Sequence, residues 1–266
     1  MKTILTPLAR MFLASVMTFP GAPQAAEAPL PSVDTVLKRV VETSEKENEN
    51  DRAFNEHYGY MRTKVTEYRN AHGDLKKREE KTSRNSPAVA PVAFHPPPSE
   101  TKTEPEKTAG NKGAVTDANS NVRGKAFEKN DFALNGDLLG RFQFVLTGRE
   151  ILNGRPAFVL EFKPRKKDLP ERNLKDRFIN KAAGRLWVDE GDSVLVKAAV
   201  HLTEKVNVVG GLVGSIWKFD YVFDRERTPD GLWFTHGVDW HLEGREVIVR
   251  RTVDYHEEKS EVRKVW

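Results

Sequence analysis

The chain has 266 residues, no cysteine, and 43 Lys and Arg against 39 Asp and Glu, a net charge of +4. These values exclude thiol catalysis, a disulfide framework and an acylated N-terminal cysteine, and so even a mixture of charges gives little support for nucleic-acid binding, which needs a clustered basic stripe. The length suits one large β domain or two small ones, held together by packing alone.

Lys2 and Arg10 make a basic start, followed by the apolar run MFLASVM at 11–17, too short to span a bilayer. Pro20 and Gly21 break any helix, and the small residues Ala22, Ala25, Ala26 and Ala28 follow. Residues 1–26 therefore read as a signal peptide, cleaved near Ala26 or Ala28. Every later hydrophobic run is interrupted by charge, so the protein is expected not to be integral to a membrane.

Residues 27–84 carry an N-terminal helix and a first β-hairpin. Ser32 is an N-cap, and Val33, Val36, Leu37, Val40 and Val41 recur on one helical face, which predicts one amphipathic helix running to about Arg52. Over 58–68, Tyr58, Tyr60, Arg62, Lys64, Thr66 and Tyr68 share one side of a strand; His72-Gly73-Asp74 turns it into a polar, edge-lying return strand over 75–84. From 85 to 122, Pro87, Pro91, Pro96, Pro97, Pro98 and Pro105 stand among polar residues, with Phe94 as the one large anchor. So little apolar surface does not offset the entropy of ordering, and a disordered insertion is expected.

Residues 123–266 read as the main antiparallel β domain, forming one domain with 27–84. Phe142, Phe144 and Leu146 alternate with Gln143, Val145 and Thr147, and Asn153-Gly154 is a favoured hairpin turn into a strand lined by Phe158, Leu160 and Phe162. Leu174, Phe178, Ile179 and Ala182 mark a short helix ended near Gly184, followed by a strand over 185–189 and the turn Glu190-Gly191-Asp192. Val194, Val196, Ala198, Val200 and Leu202 form one strand face against Lys197, His201 and Thr203. After a glycine-rich apolar loop at 206–214, Trp217, Phe219, Tyr221 and Phe223 point one way and Lys218, Asp220 and Asp224 the other. Asp230-Gly231 and Gly244 introduce the last strands, 232–242 and 247–255. The fold class is α+β: a single curved antiparallel β-sheet, an incomplete or half β-barrel, packed against an N-terminal helix and a short inter-strand helix.

Catalytic constellations fail on geometry. His236 and His241 are five apart on a strand, so pleating sends them to opposite faces and argues against a shared metal. Asp189, Glu190 and Asp192 suit a hairpin turn better than a calcium loop, and Gly210-Gly211 with Gly214 lacks the acidic partner of a dinucleotide site. No enzyme activity, cofactor or metal is expected. The aromatic rows are more informative: Phe142, Phe144, Phe158, Leu160, Phe162, Val196, Val200, Trp217, Phe219, Tyr221, Phe223 and Trp240 on one concave face either fill a dry core or line a cavity open to an acyl chain. Pattern alone does not choose. Val208, Val209, Gly210, Gly211 and Leu212, hinged by the glycines, form a lid candidate.

The run RFQF at 141–144, GREILNGRPAFVLEFKP at 148–164, AAGRLWVDEGDSVLVKAAVHL from Ala182, Gly210-Gly211 and GLWF at 231–234 together resemble the outer-membrane lipoprotein-sorting (LolA-like) superfamily over about 140–262. The most characteristic piece is GRLWVD at 184–189, a strand signature with no catalytic residue. The resemblance implies an incomplete antiparallel barrel closed on one side by helices, a periplasmic location, and an apolar interior that receives the acyl chain of a lipoprotein or another lipid. It leaves room for envelope membrane proteins as further partners. An envelope sensor or scaffold, binding a protein through the same fold with the Pro-rich segment as tether, is the alternative reading.

Overall fold

The structure, a computed structural model, describes residues 29–87, 136–165, 169–171, 174–208 and 214–265. The expected signal peptide, nearly all of the Pro-rich segment, and Val209, Gly210, Gly211 and Leu212 lie outside the described residues.

Two helices open the fold where one was expected. α1 (Val33–Ser44) is capped by the Ser32 hydroxyl, which accepts from the Thr35 amide, and buries Val36, Leu37 and Val40. It stops at Glu45, where the sequence turns wholly polar, and α2 (Glu47–His57) follows with Phe54 as its buried anchor. Asn50 of α2 docks against the chain at Trp233: its side-chain amide donates to the Trp233 carbonyl at 2.6 Å and accepts from the Trp233 amide at 2.9 Å.

Ten strands form one antiparallel sheet: β1 (Tyr58–Arg69), β2 (Leu75–Asn85), β3 (Phe142–Leu152), β4 (Arg155–Pro164), β5 (Ala182–Asp189), β6 (Leu195–Leu202), β7 (Val206–Val208), β8 (Gly214–Arg227), β9 (Trp233–Glu246) and β10 (Val249–Lys264). Their order is β2-β1-β10-β9-β8-β6-β5-β4-β3, with β7 added beside β8, so β2 and β3 are the edges among the described residues. The sheet is open and curved, and the fold class expected from the sequence is the one observed. β2 is exposed along almost its whole length, and its run of Lys, Arg and Glu blunts that edge against pairing with another chain.

Two six-residue helices, α3 (Gly136–Arg141) and α4 (Leu174–Ile179), lie between strands. The expected second helix is shorter than its apolar spacing predicts, because Ala182 and Gly184 already belong to β5. Gly184 is no helix cap. A Cβ there would fall 1.9 Å from the Ala199 carbonyl oxygen, so the close approach of β5 and β6 requires glycine.

The main core joins α1, α4 and one face of the sheet. On that face residues in register form a continuous row: Phe144, Phe162, Gly184, Val200, Tyr221, Trp240, Tyr255 and Thr66, one from each of eight neighbouring strands. Smaller clusters gather Ala157, Val159, Trp187, Val196 and Trp233 on the other face, and Phe54, Tyr58 and Phe234 under α2.

Candidate functional site

Aromatic side chains from separate strands meet on the inner face because alternate residues of a strand point the same way. Phe142, Phe158, Leu160, Phe162, Val200, Phe219, Tyr221, Phe223 and Trp240 are buried in the main core, and Phe144 packs partly buried against it. Their rings interlock: Phe142 meets Phe162 edge-on at 5.0 Å, Phe178 of α4 meets Phe219 edge-on at 4.7 Å, and Trp240 stacks on Tyr255 at 5.3 Å.

Two residues expected beside them lie elsewhere. Val196 is the extra residue of a bulge, since Val188 pairs with Leu195 and Trp187 with Lys197; it packs with Trp187 and Trp233 on the opposite face. Trp217 is the extra residue of a second bulge, between the pairs Ile216–Gly244 and Lys218–Glu243. The residue is 38% exposed and its indole N–H donates to Glu243 at 3.3 Å. Val208, the described member of the lid candidate, ends β7 and pairs with Gly214.

A bulge also overturns the expected separation of His236 and His241. His241 pairs with Asp220 and Asp254, while the register shift after Asp224 lets His236 reach Asp224 at 3.2 Å, so both imidazoles face the same side of the sheet. His241 Nδ1 lies 2.6 Å from Asp254 and Nε2 3.1 Å from Glu243. Burial alone would lower its pKa, but the two carboxylates outweigh burial and raise it. Among the described residues, no group of three or more His, Asp and Glu side chains is placed to hold a metal ion. The acidic turn after β5 is taken up internally: Arg155 binds the buried Asp189 carboxylate through two bonds of 2.7 Å, and the Asp192 amide donates to it as well.

Between the inner face, α3 and α4 an apolar cavity of about 40 Å³ remains. The sheet residues Phe144, Phe162, Leu186, Ala198, Tyr221 and Phe223 line it on one side, Leu138 of α3 and Ile179 of α4 on the other. A buried polar latch ties these two short helices together. Arg141, at the end of α3, reaches Asp176 at 3.0 Å and donates to Asn180 at 2.9 Å, and Asn180 donates onward to the carbonyls of Leu169 and Pro170. The sequence singled out neither the latch nor Leu138, and it marked Ile179, Leu186 and Ala198 as helix and strand positions without placing them at a cavity; the pair Leu138-Leu139, just before the strand of Phe142 and Phe144, was the available signal.

Towards β10 and β1 the same face becomes polar. Glu257 accepts from the Tyr255 hydroxyl at 2.5 Å and from Arg62 Nε at 2.6 Å, with Lys64 at 3.3 Å. Burial alone would raise the Glu257 carboxyl, but the Tyr255 bond and the two cations hold it below its ordinary value. A wider cleft of about 780 Å³ opens beside the second cluster and is lined by charged side chains. Its arginines are already paired, Arg155 with Asp189, Arg227 with Asp192 and Arg225 with Glu47. The small apolar cavity, by contrast, has no charged side chain in its lining among the described residues.

No protein-family model matches the chain, and no curated protein matches it in sequence. Among solved structures it is similar to an outer-membrane lipoprotein-sorting protein domain from Vibrio parahaemolyticus, at 12% identity and a TM-score of 0.31 over 86% of this chain and 93% of that one. MucB in complex with MucA(peri) aligns at 10% identity and a TM-score of 0.25, over 88% of this chain and 99% of that one. TM-scores this low fix neither fold nor function, and the architecture described above stands on its own pairing and packing. A LolA superfamily protein from Nitrosomonas europaea aligns at 9% identity and a TM-score of 0.32, over 88% of this chain and 94% of that one.

Proposed function

We propose that this chain is a periplasmic binding or carrier protein that holds an acyl chain, from a lipid-modified protein or another apolar ligand, between the aromatic inner face and the α3–α4 roof. The observation that carries the reading is the apolar cavity at that place. A dry void of about 40 Å³ in a close-packed core costs about 1 kcal/mol, and here it lies under two helices of only six residues each. Ligand pockets usually span roughly 300 to 1,000 Å³, so the cavity as described is too small for an acyl chain and uptake requires the roof to lift. Each buried methylene contributes about 0.8 kcal/mol, so a chain of modest length offsets breaking the latch. No covalent step is involved. Export rests on residues 1–26, which lie outside the described residues.

The test is displacement of a fluorescent fatty acid, with native mass spectrometry of the protein purified from an exporting host. Ala198→Leu fills the cavity from its floor and is expected to weaken acyl binding at least about tenfold while the fold survives. A wild-type protein that carries no lipid and is displaced by no acyl compound sinks the proposal. Deleting residues 85–122 separates it from the scaffold reading: a carrier keeps acyl binding, whereas a tethered scaffold loses its protein partner.

A further inference from the structure

The turn between β9 and β10 runs against local preference. Glu246 pairs with Val249, leaving Val247 and Ile248 as a two-residue connection. Glycine is favoured at the first of two such positions when φ there is positive. Val247 occupies it with φ at +54°, a conformation in which a β-branched side chain is strained. The apolar groups gain no burial in return: Val247, Ile248 and Val249 are 56%, 84% and 51% exposed. Beside them the exposed Trp217 ring lies under Arg250, whose guanidinium is 5.8 Å from the ring centroid. Arg250 and Arg251 follow the tip on β10 and Arg245 precedes it, against two acids, Glu246, which sits 3.6 Å from Arg251, and Glu243, which accepts from the Trp217 indole.

We infer that this hairpin tip docks on an anionic bilayer surface. Three consecutive aliphatic side chains enter the boundary between headgroups and acyl chains, and Arg250 and Arg251 beside them meet the lipid phosphates. The Trp217 indole, apolar in body and polar at its N–H, suits the headgroup level. A protein groove would take the aliphatic tip equally well, but it gives no account of the adjacent Arg250 and Arg251 beside it; an anionic membrane accounts for both. One short tip with few cations gives reversible attachment. The contact is independent of the apolar cavity, so either can fail without the other.

Co-sedimentation of the full chain with phosphatidylcholine vesicles, with and without phosphatidylglycerol, tests it. Binding is expected only where phosphatidylglycerol is present, and to fade toward about 1 M salt, where charges are screened within roughly 3 Å. Arg250→Gln with Arg251→Gln should lower partitioning by tenfold or more, at about fivefold per cation. Ile248→Asp should bring it to background. Val247→Gly relieves the turn, so its loss of binding would not come from unfolding; its melting temperature is expected to rise or hold. The inference is overturned if wild-type protein stays in solution with phosphatidylglycerol vesicles, or if Ile248→Asp partitions like wild type. Capture of a protein by a photocrosslinker at position 248, with no vesicle binding, overturns it in favour of a protein partner.

Discussion

Leu160 lies in register between Leu146 and Leu186 and is completely buried. Leu160→Ala therefore opens a hole in the sheet face and should lower stability by about 3 kcal/mol, read from urea midpoints at unchanged slope. His241 supplies a pH dependence with a definite sign. Its pKa is raised in the folded protein above the ordinary 6.5, so its pairing with Asp254 and Glu243 stabilises fully below that value. The contribution fades as pH rises through the raised pKa. Wild type and His241→Gln should thus differ most in stability at mildly acidic pH and converge in alkali; a constant difference would refute the assignment. At this scale the sequence was readable wherever alternation was unbroken, as in Phe158, Leu160 and Phe162 or Phe219, Tyr221 and Phe223. It misled at Val196, Trp217 and His236, all at bulges. A bulge is settled by how the neighbouring strand pairs, and a strand's own alternation carries no trace of that.

Among the elements, the hairpin turns were the easiest to read. Asn153-Gly154 and Gly231 adopt the positive φ that their residue types announce. Helix ends were harder. The polar stretch after Ser44 can continue a helix or break it, and the outcome depends on Phe54 and Asn50 docking far along the chain, near Phe234 and Trp233. α4 was overestimated because Ala182 suits the apolar period of a helix as well as the start of a strand. The α3–α4 latch gives a test at this level. Asp176→Ala leaves the buried Arg141 without its carboxylate and should lower stability by about 3 kcal/mol. It should also speed dissociation of a bound acyl chain in stopped-flow displacement, because the roof then opens more easily. The same loss of stability with unchanged dissociation would remove α4 from the gating role.

For the molecule as a whole, the α+β class and the open antiparallel sheet were legible from the strand count, the clean turns and the two faces of each strand. The distribution of polarity across the inner face was not. Its rows pass from Phe144 and Phe162 through Tyr221 and Trp240 to Thr66 and Glu79, and that gradient exists only once the strand order is known. Neighbouring strands in sequence mostly pair, but β1 pairs with β10, Tyr58 opposite Lys264 and Arg69 opposite Thr252. A chain emerging from the ribosome delivers β1 long before β10. Loop-closure entropy delays such long-range pairing, so refolding from urea is expected to show a phase of milliseconds to seconds that tryptophan fluorescence and far-UV circular dichroism both report. Until β10 arrives, the first hairpin waits with both edges open, and the charges of β2 then protect an unfinished protein from its neighbours as well as a finished one.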